Sequence, residues 1–287
     1  MNLSLSTGSL APLPWWRFLP CLRRAGFEGV EWVVGPELLW QRPEEIGGMV
    51  RRAGLAVFSV HPPFAKVGRW ANEGEALARQ VRLTAAVGAS LTLIHPPQDA
   101  DWRAPGARRW QRGLEAGLDL ARRLGIQVAV ETAGRRWRGD TRRLLLDPEE
   151  LAAFTEAWGL GVVLDVTHVG SLDPTLASAE VLLGPRLLGV HLSDMAREPH
   201  DLVRRALGRF ATTHRLPGEG ILPLQDLLRR LAGMGFAGPV TLEVSPAYLA
   251  LRGPWSLERT LQDVAAAVRD GWRGPRDGAK EGGHEAC

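Results

Sequence analysis

Residues 122–132 read RRLGIQVAVET, and that short order of letters decides the fold. Two arginines and a leucine close a helical run, Gly125 stops it, and a β-rich run follows that ends on Glu131. Glycine takes the left-handed conformation that terminates a helix without steric cost, so the stretch spells helix end, glycine, strand. The same punctuation recurs in RRAGFEGVEWV (23–33), RRAGLAVFSV (51–60) and GMGFAGPVTLEV (233–244). Gly26, Gly54, Gly88, Gly125, Gly159 and Gly235 all stand at such joints.

Working outward, eight candidate strands appear: Asn2–Thr7, Gly29–Val34, Leu55–His61, Ser90–His95, Ile126–Thr132, Leu160–Val166, Leu187–Ser193 and Pro239–Ser245. Each is followed by a candidate helix, among them Glu73–Val87, Ala107–Leu124, Pro148–Trp158, Leu222–Met234 and Leu257–Asp270. Strand–helix alternation implies a parallel sheet with crossover helices. Eight such units in 287 residues point to a closed ring rather than an open sheet. The expected fold class is therefore α/β, a single (β/α)8 TIM barrel over residues 1–272. No G-x-G-x-x-G follows the first strand, which weakens a dinucleotide-binding reading. The segment RGPRDGAKEGGHEAC (273–287) is polar and glycine-rich and is expected to be a disordered tail, so His284 and Cys287 are set aside.

Composition sets further bounds. At 45% hydrophobic and 23% charged, the chain has ample core material for a globular protein. No apolar run is long enough to span a membrane, and the first residues lack the pattern of a signal peptide. Two cysteines, Cys21 and Cys287, make no disulfide framework, so a cytoplasmic location is expected. The net charge of +3 is weak for a nucleic-acid binder.

The chemistry lies at the strand ends. His61 ends the third strand, His95 the fourth, Glu131 the fifth, Asp165 the sixth, His191 the seventh and Glu243 the eighth. His168 follows Asp165 by three residues, and His214 lies in the long connection after the seventh strand. In an α/β barrel the C-terminal strand ends converge on one mouth. Imidazole and carboxylate together suit divalent ions such as zinc, manganese, cobalt or magnesium, and a cation relieves the repulsion between clustered acids. Weaker features sit nearby. Arg135, Arg136, Arg138, Arg142 and Arg143 could grip a phosphate. Trp15, Trp16, Trp70, Trp102 and Trp137 could rim the mouth, although packing accounts for most of them. Glu31 could point into the barrel as a secondary polar group.

The pieces GFEGVEW, the two HPP strand ends, VET, LDVTH, GVHLSD, HRLPGEG and LEV, taken in order from Asn2 to Asp270, resemble the xylose isomerase-like barrel superfamily. That group holds sugar and sugar-phosphate isomerases and epimerases, and also the endonuclease IV branch that cuts DNA at abasic sites. The epimerase resemblance implies a divalent ion on Glu131, Asp165, His191 and Glu243. It further implies Glu131 and Glu243 as the proton-exchanging pair beside a metal-stabilised enediolate, and His168 and Arg197 as substrate contacts. The nuclease resemblance adds His61, His95, His168 and His214 as ligands to further metals; in the epimerase reading these act as second-metal or substrate ligands. It also calls for an Asp two positions before the loop His, where this chain has Thr212.

The resulting expectation is an isomerase or epimerase of a sugar, polyol or sugar phosphate carrying one to two divalent ions per chain. Its partner is a small carbohydrate, and by analogy the chain forms a homo-oligomer. A zinc phosphodiesterase acting on abasic DNA is the alternative. A metal-containing lyase or a silent sugar-binding barrel also remains open, since one barrel hosts many chemistries.

Overall fold

The structure, a computed structural model, describes residues 1–64, 70, 73–135, 140, 142–196, 213–250 and 254–274. Eight parallel strands close into a ring in chain order: β1 (Asn2–Ser6), β2 (Gly29–Val33), β3 (Ala56–His61), β4 (Leu91–Ile94), β5 (Gln127–Glu131), β6 (Gly161–Asp165), β7 (Leu187–Leu192) and β8 (Pro239–Leu242). The seam is β8 against β1, with Leu3 opposite Val240 and Leu5 opposite Leu242.

Strand residues alternate between two environments, as a period of two requires. Leu3, Leu5, Val30, Trp32, Val60, Ile94, Val128, Val130, Val162, Leu164, Val190, Leu192, Val240 and Leu242 face outward and join one large apolar core with the helices. The inward set is small and polar: Ser4 and Thr241 share a 2.8 Å hydrogen bond across the seam. Leu91, Leu93, Ala129 and Val163 form a separate small apolar cluster inside the ring. Above that plug the inward positions carry His61, Glu131, Asp165 and His191.

The helices are α1 (Leu19–Arg24), α2 (Pro43–Arg52), α3 (Glu73–Val87), α4 (Pro105–Leu124), α5 (Pro148–Trp158), α6 (Val166–Gly170), α7 (Leu224–Gly233), α8 (Pro246–Ala250) and α9 (Pro254–Arg273). The six glycines read as helix stops all have positive φ. Helix α5 shows the full grammar: Asp147 accepts from the N–H groups of Glu149 and Glu150, Pro148 opens the helix, and Gly159 ends it at φ 65°.

Two crossovers depart from the sequence expectation. After β6 the chain makes only the short α6 and a 3₁₀ turn, Ala177–Leu182, in place of one full helix. After β1 it makes two 3₁₀ turns before α1. Helix α9 also begins earlier and ends later than the periodicity indicates. The tail beyond residue 274 lies outside the described residues. Among the described residues no helix is long and apolar enough to cross a membrane.

Candidate metal centre and active site

The structure brings the six strand-end residues together with His168 and His214. Three sets of donor atoms form, each with members within 4.8 Å of one another: His61, His95 and Glu131; Glu131, Asp165, His191 and Glu243; and Asp165, His168 and His214. Glu131 belongs to the first two sets and Asp165 to the last two. The sets therefore adjoin, with a shared carboxylate at each junction.

Strand pairing puts them there. Asp165 of β6 is the register partner of His191 of β7, and His191 in turn pairs with Thr241 of β8. Gly134 allows the next loop to approach closely, since a side chain there would meet the backbone and ring of His168. Asp165 uses its two oxygens differently: Oδ1 caps α6 by accepting from His168 N–H at 2.8 Å, leaving Oδ2 toward the cluster.

Glu131 Oε2, Asp165 Oδ2, His191 Nδ1 and Glu243 Oε2 are all buried, and apart from the imidazoles and carboxylates of the cluster itself none has a hydrogen-bonding partner. They nonetheless crowd together: His191 Nδ1 is 2.6 Å from Glu243 Oε2, 3.3 Å from Glu131 Oε1 and 4.0 Å from Asp165 Oδ2. Buried polar atoms without partners are costly. Three carboxylates and an imidazole whose donor atoms lie within 4.8 Å of one another are a donor set that fits a divalent cation.

The histidines are aimed by their second nitrogen. His61 Nδ1 lies 2.6 Å from the Pro62 carbonyl and His168 Nδ1 lies 2.7 Å from the Thr132 carbonyl, so each donates there and leaves Nε2 to meet a ligand. His61 Nε2 and His95 Nε2 are 3.0 Å apart, and His95 Nε2 is 3.0 Å from Glu131 Oε2. His214 is held at φ 53°, an uncommon backbone state for a side-chain-bearing residue. Its Nδ1 is 3.3 Å from both Ser193 Oγ and the Glu243 carbonyl. The loop around it hangs on Asp194, whose buried carboxylate accepts from the N–H groups of Met195, Gly218, Gly220 and Leu222.

Charge balance in the cluster runs through protons. Burial disfavours the His61 imidazolium, but Glu131, Glu31 and Glu243 outweigh it and lift its pKa from 6.5 to about 9. Burial likewise opposes ionisation of Glu243, and His191 overrides this and holds its pKa at about 2. For Asp165 burial dominates and pushes the pKa up. A raised folded-state pKa stabilises the fold fully below the unfolded value and is lost as pH rises through the folded one. The chelator-treated protein should therefore lose thermal stability between about pH 6.5 and about 9, read as a falling unfolding midpoint. A midpoint flat across that window would contradict the ionisation assigned to His61.

Other sequence expectations fare differently. Arg143 is buried and committed to Asp140, with further bonds to the Gln98 side chain and the Gly134 carbonyl, so it braces the loop. Arg135 donates its backbone N–H to Ser171, and Arg142 is exposed. Arg136, Arg138, Trp137, Arg197 and Thr212 lie outside the described residues. Trp102 stacks on Phe154 at 5.4 Å within a cluster that includes Trp110 and Trp158, which makes it helix packing. Trp15 and Trp16 pack edge to face, and Trp70 lies against Arg79. Cys21 is buried with a free thiol. Sequence reasoning gave little weight to Glu31, which is fully buried and lies 3.0 Å from His191 Nε2.

The xylose isomerase-like TIM barrel family model matches residues 21–268, and the chain belongs to that family. A Mycobacterium tuberculosis protein of uncharacterised activity (strain ATCC 25618 / H37Rv) is 28% identical over 270 residues, 85% of this chain and 89% of that one. A xylose isomerase domain-containing protein of Salmonella typhimurium superposes with a TM-score of 0.73 at 16% identity, over 94% of this chain and 97% of that one. D-psicose 3-epimerase of Clostridium cellulolyticum, solved with D-tagatose, superposes at 0.69 with 14% identity, over 95% and 99%. At those identities the structural likeness speaks for the fold.

Proposed function

We propose that this protein is a divalent-metal-dependent isomerase or epimerase acting on a sugar, polyol or sugar phosphate. The observation that carries the reading is the quartet Glu131, Asp165, His191 and Glu243, whose donor atoms lie within 4.8 Å of one another. The family membership and the epimerase among the structural neighbours support the choice of reaction. When bound, the cation supplies positive charge that stabilises a carbanion formed beside a carbonyl. Zinc, manganese, cobalt and magnesium are the candidate ions.

The chain's own residues then have distinct tasks. Asp165 and His191 would hold the cation. Glu131 and Glu243 would be the proton-exchanging pair, one removing a proton from carbon and the other returning one. His191 keeps Glu243 ionised, as a cation ligand requires. His168, with Nδ1 tied to Thr132, offers Nε2 to a substrate hydroxyl.

A panel of ketoses, polyols and sugar phosphates incubated in D2O with each ion tests this directly. Carbon-bound deuterium and the epimeric or isomeric product should both appear with at least one compound. Absence of exchange and product across the panel, with metal-loaded protein, would remove the reading.

A second reading rests on a different observation, the three adjoining donor sets with shared carboxylates. Several ions bridged in this way suit hydrolysis of a phosphodiester. A duplex carrying an abasic analogue should then be nicked, and chelator should stop it; intact duplex with zinc, manganese and magnesium in turn decides against it.

A further inference from the structure

Glu31 lies on β2, on the opposite side of His191 from the metal quartet. Its Oε2 accepts the Ser59 hydroxyl at 2.8 Å and faces His191 Nε2 at 3.0 Å. All three residues are buried to about 1% exposure or less. The pairing of β2 with β3 shifts register between Val30 and Glu31, and just past that shift Glu31 stands opposite Ser59. Such an irregularity re-aims a side chain and is a common device beside active sites. A carboxylate in a barrel interior has no packing virtue of its own, because its desolvation must be offset by bonds.

The contrast with the other histidines gives the arrangement its meaning. His61 and His168 are oriented by main-chain carbonyls, which carry no net charge. His191, the imidazole of the quartet, is oriented by a carboxylate that is itself fixed by a hydroxyl. We infer that Glu31, held by Ser59, is a positioning residue: it accepts a hydrogen bond from His191 Nε2–H, fixes the ring, and would present Nδ1 to the cation as a strong donor. A carboxylate behind a ligating histidine raises the basicity of the ligand and locks its tautomer. Ser59 anchors Glu31 Oε2 on the Nε2 side of the ring, while Oε1 is buried without a hydrogen bond.

The inference rests on the quartet being a metal site, and the test separates the two. Calorimetric titration of Mn2+ and Zn2+ into chelator-stripped wild type, Glu31→Ala and Glu31→Gln is the measurement, with the unfolding midpoint of each stripped protein recorded alongside. Glu31→Ala should weaken the ion by about 10–100-fold. Glu31→Gln keeps an acceptor oxygen and should recover part of that loss. It also keeps the volume of the site, so it serves if the alanine variant does not fold. Wild-type affinity in both variants, with only the midpoint lowered, would make Glu31 a structural residue and overturn the inference alone. Failure of the wild type to bind either ion would overturn the metal reading and the inference with it.

Discussion

Glu131→Gln should lower turnover by about 1000-fold and strip the bound metal, because one side chain serves two of the three donor sets. The substitution keeps shape and volume, so the loss isolates charge. Burial opposes the Glu131 carboxylate, while His191, His61 and His95 overcome that and hold it well below the usual carboxylate range. An amide at that position offers a cation a neutral oxygen and offers a substrate no base. Elemental analysis of the purified variant reads the first effect, and deuterium exchange at substrate carbon reads the second. A variant retaining full metal content and full turnover would mean that Glu131 is neither ligand nor base.

Asp194→Ala should destabilise the fold by about 3 kcal/mol, since four backbone N–H groups lose their acceptor at once. Each unsatisfied donor costs roughly 1–3 kcal/mol when buried, and the loop relaxes to recover part of it. For a chain of this size the unfolding midpoint should drop by about 6–12 °C, measured by calorimetry on the stripped protein. The loop 213–222 carries His214, so the third donor set should loosen with it. Gly220→Ala should act in the same direction, because a side chain there would collide with the Asp194 carboxylate. An unchanged midpoint for Asp194→Ala would show that the loop holds itself.

The site was largely legible before the structure because two simple periodicities coincide. Parallel strands in a ring put their C-terminal ends together, and a period of two puts alternate residues inside. His61, Glu131, Asp165 and His191 are thereby assigned to one mouth from spacing alone. Glu31 was not legible in the same way. It sits mid-strand, and its partnership with Ser59 depends on a register shift that no residue letter announces. Asp194 stood in a recognisable motif, GVHLSD, yet its task depends on the approach of Gly218 and Gly220 from a loop more than twenty residues away. The crossover after β6 was misread as one helix because Asp165 caps α6 and that helix stops after five residues. The tryptophans were readable as packing only once Phe154 was seen between Trp102 and Trp158.

One feature of the ring reaches beyond chemistry. The donors come from six successive strands, β3 to β8, and β8 is clasped by the first strand of the chain. The donors span residues 61 to 243, so the site needs most of the ring to form. Binding of an ion there would stabilise the closed ring against opening. An ion bound there would act as a rivet through the end of the hoop.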